Sequence, residues 1–501
     1  MSETKPAIHQ GSQFQKIFVH GRWYLISSIL SKGVGFFLLP IYTHYLTPED
    51  YGILASIESF AKLLPIFISL YIDTAFGRYY YLERAISKEN VRQLYSTHFW
   101  FVVIWGGIAS LGAFYLATVL FKKIFALGLW IVLIVIASQL LTQLGIMVIM
   151  IWKAELKAKQ ITFLQLGMLI IPITITLILL IPYQMGFEAR IYARGIGALL
   201  QFFILIYIAL QQRWLAFSFD WKIIKRSLIF SIPLIPNIAA GWIAGFSDRI
   251  ILAHYGYISE AGLYSVAFQF AKVLYMINDA LTQVQGPIAM SALTEDRESA
   301  KKQIAEFVSI FIWVIMLFYL GLTFFSKEVL YFFTNERFHE TYKLIAILAG
   351  VYVVGGIYRI FTSILSFHAK NWVISSGAIL AALLNIALNF TFIPYFGMYA
   401  AAWATLLNIG LYAFWLLYWS QRYDPIALPK VLILTVLSTS MVLLFLQQTL
   451  EQIESVNLWL VLVIKISLLA LFFVPVFLVK AMQPIREKIV DVYYSIINRK
   501  S

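Results

Sequence analysis

The feature that most constrains the fold is a series of apolar stretches that recur along almost the whole chain. A helix needs about 20 mainly apolar residues to cross a bilayer, and fourteen stretches meet that requirement. They begin near residues 18, 50, 94, 126, 160, 191, 227, 260, 303, 343, 371, 397, 429 and 457. Hydrophobic residues make up 61% of the chain and charged residues 13%, whereas soluble domains hold roughly 45–50% and about 25%. The sequence therefore predicts an all-α polytopic membrane protein of about 14 transmembrane helices.

The distribution of positive charge predicts the topology. The net charge is +13, which by itself is also typical of nucleic-acid-binding proteins. If the N-terminus is cytoplasmic, however, 25 of the 38 lysines and arginines fall in the tails and the inward-facing loops. The outward side then holds only Lys122, Lys123, Arg190, Arg194, Lys327, Arg337 and Lys343. Because cytoplasmic loops are enriched in these residue types, we expect both termini in the cytoplasm and no nucleic-acid partner.

Several common kinds of catalytic site are missing from the sequence. The chain has no cysteine, so neither a disulfide nor a thiolate metal site can form. It lacks the GxxxxGK[ST] phosphate loop, and its seven histidines show no metal-binding spacing. Residues 1–17 are polar and lack the apolar core of a cleavable signal, so the first span is expected to direct insertion. We therefore expect a protein that is not an enzyme and that uses no metal and no cofactor.

The two halves of the chain repeat each other. HYLTPEDYGILASIESFAKLL at 44–64 and HYGYISEAGLYSVAFQFAKVL at 254–274 share seven of their 21 positions without a gap. Two more matches follow at nearly the same offset, pairing Ala158-Lys159 with Ala369-Lys370 and Ile181-Pro182-Tyr183 with Ile393-Pro394-Tyr395. Six predicted helices separate the copies. Because six is an even number of crossings, both halves have the same orientation in the membrane. Parallel repeats of this kind are typical of transporters that alternate access, with the substrate site between the halves.

The repeat predicts how the chain is organised. Helices 13 and 14 stand outside the duplication, and two polar tails flank the helices. The predicted segments are a cytoplasmic tail at 1–17, an N-lobe of helices 1–6 at 18–212, a C-lobe of helices 7–12 at 213–420, helices 13–14 at 421–482, and a cytoplasmic tail at 483–501.

Three motifs resemble those of the bacterial polysaccharide (Wzx-type) flippases. The segment Leu46-Thr47-Pro48-Glu49-Asp50-Tyr51-Gly52 is similar to their "LtpeeYG", and Ser247-Asp248-Arg249 followed by Ala261-Gly262-Leu263-Tyr264-Ser265 is similar to "DR…aGlYsva". A third block runs from Leu384-Asn385-Ile386-Ala387-Leu388-Asn389 through Ile393-Pro394 and Gly397 to Ala400-Ala401-Ala402, Ala404 and Thr405. Its one departure is Ala400, where the family usually has glycine. The resemblance covers roughly residues 18 to 420.

This resemblance implies a fold and an activity. The family belongs to the multidrug/oligosaccharidyl-lipid/polysaccharide exporter superfamily, whose members have two six-helix lobes around a central cavity, often with two further helices. The implied activity is movement of an undecaprenyl-diphosphate-linked oligosaccharide from the cytoplasmic to the periplasmic leaflet of the cell inner membrane. Partners would be that lipid, membrane lipids and other polysaccharide-assembly proteins. Alternatives are a lipid II flippase and, less favoured, a drug or cation extruder or an O-antigen polymerase.

A lysine at matching positions of the two tracts marks a candidate substrate site. Lys62 lies ten residues after Gly52, about 15 Å along a helix and so near the bilayer midplane. A buried cation there costs on the order of 2.5–3.5 kcal/mol, so we expect Lys62 and its counterpart Lys272 to face a water-filled cavity or a partner. An alternative for Lys62 is a structural pair with Glu58, one turn earlier.

Other charged residues complete the predicted site. Lys32 lies deep in the first span, and with Lys62, Lys272 and Arg249 it would form a cationic cavity that attracts a diphosphate. Arg249 is equally well explained by a structural ion pair with the adjacent Asp248. The resemblance also suggests coupling to protons or cations, with Glu58 or Asp279 as the titrating acid. Arg359 and Lys465 are weaker candidates for the cavity.

Overall fold

The computed structural model describes residues 33–120, 128–295, 297–451 and 458–489. Most of these residues form helices, and no β-strand occurs among them. Lys32, Lys122, Lys123 and the predicted tail at 1–17 lie outside the described residues. The α-helices are α1 (Leu39–Tyr45), α2 (Pro48–Ile68), α3 (Ile72–Ile86), α4 (Lys88–Leu120), α5 (Leu129–Ala154), α6 (Ala158–Leu180), α7 (Glu188–Gln211), α8 (Trp221–Ser231), α9 (Ile235–His254), α10 (Ile258–Glu295), α11 (Arg297–Phe324), α12 (Ser326–Phe333), α13 (Tyr342–Phe367), α14 (Asn371–Tyr423), α15 (Lys430–Glu451), α16 (Leu458–Leu471) and α17 (Val474–Leu478).

The polytopic membrane class predicted from the sequence is confirmed. Within the described ranges, eleven helical segments are long and apolar enough to cross a membrane. One of them, α14, is 53 residues long and covers two of the predicted spans. The eighth predicted span corresponds to α10, which has 38 residues but is not among the eleven. Because the first predicted span lies partly outside the described residues, the total of fourteen stays a prediction.

The LTPEDYG segment builds the start of α2. The Thr47 side chain accepts a hydrogen bond from the Asp50 backbone N–H at 3.1 Å, and the Asp50 carboxylate accepts one from the Thr47 backbone N–H at 2.8 Å. This reciprocal arrangement satisfies two backbone donors that a helix otherwise leaves open. Pro48 occupies the first turn, where a missing N–H has no consequence. The motif therefore begins the helix that carries Glu58 and Lys62.

The glycine that the two tracts share has a packing reason in both copies. A Cβ atom on Gly52 would overlap the carbonyl oxygen of Ile258, and one on Gly262 would overlap the carbonyl oxygen of Pro48. Helices α2 and α10 thus meet backbone to backbone where each of them begins. Glycine is the residue that permits such a close approach.

A third motif glycine lies at the kink in α14. Gly397 has φ of 52° and ψ of −133°, a conformation that residues with a side chain rarely adopt. Pro394 precedes it and removes a backbone donor from the same helix. Together the two residues divide α14 near the boundary between the eleventh and twelfth predicted spans.

The chain divides into two compact units. The N-terminal unit contains the described residues up to Trp242 together with Ala253–Gly262, and the C-terminal unit contains Ile243–Leu252 and the described residues from Leu263 onward. In the N-terminal unit α5 packs against α7, and α6 also packs against α7. In the C-terminal unit α13 packs against α14, and α11 against α15. The lobe boundaries expected from the repeat stay predictions.

Candidate functional site

A cavity of about 380 Å³ lies inside the N-terminal unit. Its walls come from α1, α2, α5, α6 and α7, and they combine apolar side chains with hydroxyl, amide and charged groups. The polar lining residues are Tyr42, Glu58, Ser138, Gln139, Thr142, Thr176, Arg190, Arg194 and Gln201. A concave site with a few convergent polar groups is the usual form of a small-ligand site.

Arg190 links three helices at this cavity. Its guanidinium lies 2.8 Å from the carboxylate of Glu58 on α2 and 5.2 Å from the centre of the Tyr42 ring. The side chains of Arg190 and Glu58 remain 30% and 42% exposed. Glu58 therefore forms an ion pair with a helix 132 residues away in the sequence.

Arg194 lies one turn further along α7. Its Nε donates to the Ser138 hydroxyl at 3.1 Å, and a terminal nitrogen donates to the Gln139 side-chain oxygen at 3.1 Å. Both acceptors are neutral. The charged groups that line the cavity are thus two arginines and one carboxylate, which leaves one positive charge in excess.

Both arginines, expected on the outward side of the membrane, lie in the first two turns of α7. We expected the sixth span from residue 191, whereas α7 begins at Glu188 and includes both arginines. The spacing of four residues between Arg190 and Arg194 is the signal that sequence analysis passed over, since residues at i and i+4 share one face of a helix.

A second polar cluster lies inside the C-terminal unit around Asp248, which is fully buried. Its carboxylate accepts hydrogen bonds from the Tyr264 hydroxyl at 2.7 Å, the Asn389 side-chain amide at 2.7 Å and the Thr405 hydroxyl at 2.9 Å. These residues come from α9, α10 and both parts of α14. Three hydrogen bonds from neutral donors offset part of the cost of burying the carboxylate.

Arg249, a predicted substrate residue, lies in a cage of aromatic rings. Its guanidinium carbon is 4.4 Å from the centre of the Phe268 ring, 5.0 Å from that of Tyr264 and 5.9 Å from that of Phe246. The guanidinium also donates to the backbone carbonyl of Gly245, one turn earlier on α9. Only 6% of the residue is exposed. Aromatic faces stabilise a cation in a desolvated site by up to about 2 kcal/mol.

The two repeated lysines are both exposed. Lys62 on α2 and Lys272 on α10 are both exposed on their own helices. The third predicted lysine, Lys32, lies outside the described residues. The structure therefore presents the two repeated lysines at the surface of the helices that carry them.

The remaining predicted residues are held in ion pairs. Asp279 on α10 lies 3.5 Å from Arg359 on α13, and the Arg359 guanidinium also lies over the Tyr275 ring. Lys465 on α16 lies 2.6 Å from Glu328 on α12 and is only 1% exposed. Lys465 thus ties the C-terminal helices to the rest of its unit.

An ion cluster around Glu83, on a helix that is not among the eleven candidate spans, connects α3 with α4 and α8. The Glu83 carboxylate accepts hydrogen bonds from the Asn90 amide at 2.8 Å and from Arg226 at 2.5 Å. Burial by itself raises the pKa of Glu83, but these two hydrogen bonds and the charge of Arg226 outweigh it. The pKa of Glu83 is therefore held below its ordinary value of 4.5.

The profile of the family described as polysaccharide biosynthesis protein matches residues 42–343, which is more than half of the chain. The chain belongs to the polysaccharide biosynthesis protein family.

Two relatives of this family member come from Haemophilus influenzae. Protein 1 of the Lsg locus is 26% identical over 397 residues, which is 76% of this chain and 94% of the relative. An uncharacterized membrane protein is 24% identical over 386 residues, covering 74% of this chain and 91% of the relative.

Solved structures establish the fold of this family member. The lipid II flippase MurJ in an inward closed conformation superposes with a TM-score of 0.67 at 18% identity, covering 91% of this chain and 98% of MurJ. An outward-facing multidrug resistance MATE family transporter of the MOP superfamily superposes with a TM-score of 0.53 at 15% identity, covering 81% and 96%. The predicted superfamily fold is thereby confirmed.

Proposed function

We propose that this protein moves an undecaprenyl-diphosphate-linked oligosaccharide from the cytoplasmic to the periplasmic leaflet by alternating access. Membership of the polysaccharide biosynthesis protein family supports a saccharide substrate, and the MurJ-like fold supports transport across a membrane. The observation that carries the proposal is the pair of lysines at matching repeat positions, both exposed on membrane-length helices.

A charged side chain inside a membrane carries a free-energy cost. A lysine near the middle of a membrane helix costs on the order of 2.5–3.5 kcal/mol by insertion scales. In the proposed site, Lys62 on α2 and Lys272 on α10 would both bring such a charge into the membrane at equivalent positions of the repeat. A diphosphate would offset it, because charge-assisted hydrogen bonds to phosphate are strong where water is excluded.

The proposal assigns roles to the predicted residues. Lys32, Lys62 and Lys272 would bind the diphosphate, while the caged Arg249 would contribute positive charge from α9. No covalent chemistry is required. The protein would work in the cell inner membrane with both termini in the cytoplasm, alongside other polysaccharide-assembly proteins. Coupling to a proton or cation through Glu58 or Asp279 stays a prediction, and the ion pairs of both acids favour a structural role.

Reconstitution tests the proposal. Purified protein in proteoliposomes is given undecaprenyl-diphosphate-linked oligosaccharide, and translocation is compared between wild type, Lys62→Ala, Lys272→Ala and the double variant. We expect flipping by wild type and its loss in the double variant, with folding and insertion unchanged. Absence of flipping by correctly folded wild type would overturn the function. Normal flipping by the double variant would remove both lysines from the substrate path.

A lipid II flippase is a second candidate, favoured by the structural similarity to MurJ. Lipid II also carries a diphosphate, so the two lysines do not discriminate between the substrates. A parallel assay with lipid II separates them. We expect faster flipping of the polysaccharide precursor than of lipid II, and the reverse order would favour the second candidate.

A further inference from the structure

The cavity inside the N-terminal unit has the charge of an anion-binding site. Arg190 is neutralised by Glu58, whereas Arg194 hydrogen-bonds two neutral acceptors, Ser138 and Gln139. A guanidinium has five N–H donors in a planar arrangement. Arg194 uses two of them in its hydrogen bonds to Ser138 and Gln139. A carboxylate that entered the cavity would therefore meet a cation whose hydrogen-bond partners carry no charge.

The size of the cavity limits the ligand. Small-molecule pockets have volumes of about 300–1,000 Å³, and this cavity of about 380 Å³ lies near the lower end of that range. A whole lipid-linked oligosaccharide does not fit, but a single sugar unit does. The partial exposure of Glu58 and Arg190 leaves the cavity accessible from outside the unit.

The neutral lining suits hydroxyl groups. The Gln201 side chain lines the cavity, and its amide carries both donors and an acceptor. The hydroxyls of Thr142 and Thr176 donate to carbonyls of their own helices at 2.8 Å and 2.7 Å, which leaves their oxygens able to accept. The hydroxyls of a sugar ring can accept from the amide and also donate to the threonine oxygens, whereas an anion without hydroxyl groups can only accept.

We propose that this cavity binds the carboxylate and ring hydroxyls of an acidic sugar, with Arg194 as the residue that receives the carboxylate. The inference rests on the proposed function and deepens it, because it makes the transported glycan one that contains a sugar acid. Arg190 and Glu58 border the site. The Glu58 carboxylate balances one of the two arginine charges, so one positive charge remains. The Gln201 amide and the two threonines would select a hydroxylated ligand.

Binding to the purified full-length protein in nanodiscs tests the site without transport. Thermal unfolding is followed with glucuronate, glucose or acetate at constant ionic strength. A ligand that binds the folded state raises the unfolding temperature. We expect a saturable increase with glucuronate and a much smaller one with glucose or acetate. An equal response to glucose would overturn the role of the carboxylate, and an equal response to acetate would overturn the role of the sugar.

Variants with opposite expected effects locate the ligand. Arg194→Gln is expected to weaken glucuronate binding at least about tenfold, because it removes a charge-assisted hydrogen bond. Glu58→Gln keeps the shape but removes the negative charge, so binding should tighten severalfold. Arg213→Gln, at an exposed position just after α7, is the matched control and should change nothing. Unchanged binding in Glu58→Gln would overturn the proposal even if Arg194→Gln failed to fold.

Transport separates this inference from the proposed function. Wild type is given acidic and neutral lipid-linked oligosaccharides of equal length, and we expect the acidic one to be flipped faster. Arg194→Gln should lose that preference while still flipping the neutral substrate. Equal flipping of both by wild type, without glucuronate binding, would overturn the inference and leave the proposed function intact. No flipping of either lipid by folded wild type would overturn the proposed function, and glucuronate binding would still decide whether the cavity is an acidic-sugar site.

Discussion

Position 58 in the first copy of the repeat and position 268 in the second each hold an arginine inside a membrane-crossing segment, but by different chemistry. Glu58 forms an ion pair with Arg190 at 2.8 Å. Phe268 instead places its ring 4.4 Å from Arg249. The ion pair borders a cavity and stays partly exposed, whereas Arg249 is 6% exposed. At equivalent positions of the repeat, an arginine is therefore stabilised by a carboxylate in the first copy and by an aromatic ring in the second.

The two surroundings differ in what they leave open. In the N-terminal unit the polar groups line a cavity, and one positive charge remains in excess. In the C-terminal unit Asp248 is fully buried and bound by three neutral donors from α10 and α14. A buried network of this kind fixes the packing of helices, because each donor that loses its acceptor is costly. The first cluster is therefore suited to a ligand and the second to stability.

The largest effect that follows from this comparison is on the stability of the C-terminal unit. Asp248→Ala would leave the Tyr264, Asn389 and Thr405 donors without their acceptor, at about 1–3 kcal/mol for each buried group. We expect the free energy of unfolding in mixed micelles to fall by about 3 kcal/mol or more. Asp248→Asn keeps an acceptor oxygen and should lose less. The partly exposed pair makes Glu58→Ala cost under about 1 kcal/mol, so equal losses at Asp248 and Glu58 would contradict the comparison.

Replacing the ring at position 268 tests how Arg249 is stabilised. Phe268→Leu keeps an apolar side chain but removes the aromatic face, so we expect a loss of about 2 kcal/mol of unfolding free energy. Phe268→Tyr keeps a ring and is the control. The measurement is the same unfolding experiment. If leucine and tyrosine have the same effect, the contact is apolar packing rather than a cation–π interaction.

On α3, which is not among the eleven candidate spans, Glu83 allows a test by pH. Its folded-state pKa lies below the ordinary value of 4.5, so its contribution to stability is complete above that value and is lost as pH falls through the folded pKa. Glu83→Gln should cost about 1 kcal/mol at neutral pH and should flatten the decline in unfolding temperature below pH 4.5. An acid profile identical to wild type would show that Glu83 does not contribute.

The smallest expected effect on stability is at the repeated lysines. Lys62→Gln and Lys272→Gln alter exposed side chains, and such substitutions usually change the free energy of unfolding by less than about 0.5 kcal/mol. Flipping in proteoliposomes should nevertheless fall strongly. A loss of stability as large as that of Asp248→Ala would show that the lysines have a structural role in the fold.

Much of the architecture follows from local sequence. Runs of about twenty apolar residues have few alternatives to crossing a bilayer as helices, since every backbone group must be bonded internally. The Thr47-Pro48-Glu49-Asp50 segment predicts a helix start because the groups that cap it lie within four residues. The repeat likewise indicated that Lys62 and Lys272 have matching places, and both are exposed on their helices.

The partners of the charged side chains were decided only by the tertiary structure. The sequence did not indicate Arg190, which lies 132 residues from Glu58 and forms an ion pair with it. The fold likewise brought Asn389 and Thr405 to Asp248 across 141 and 157 residues. Hydropathy determines that a helix crosses the membrane, but not its rotation or its neighbours. Those depend on how side chains from distant helices pack, and that packing set the polar clusters of both units.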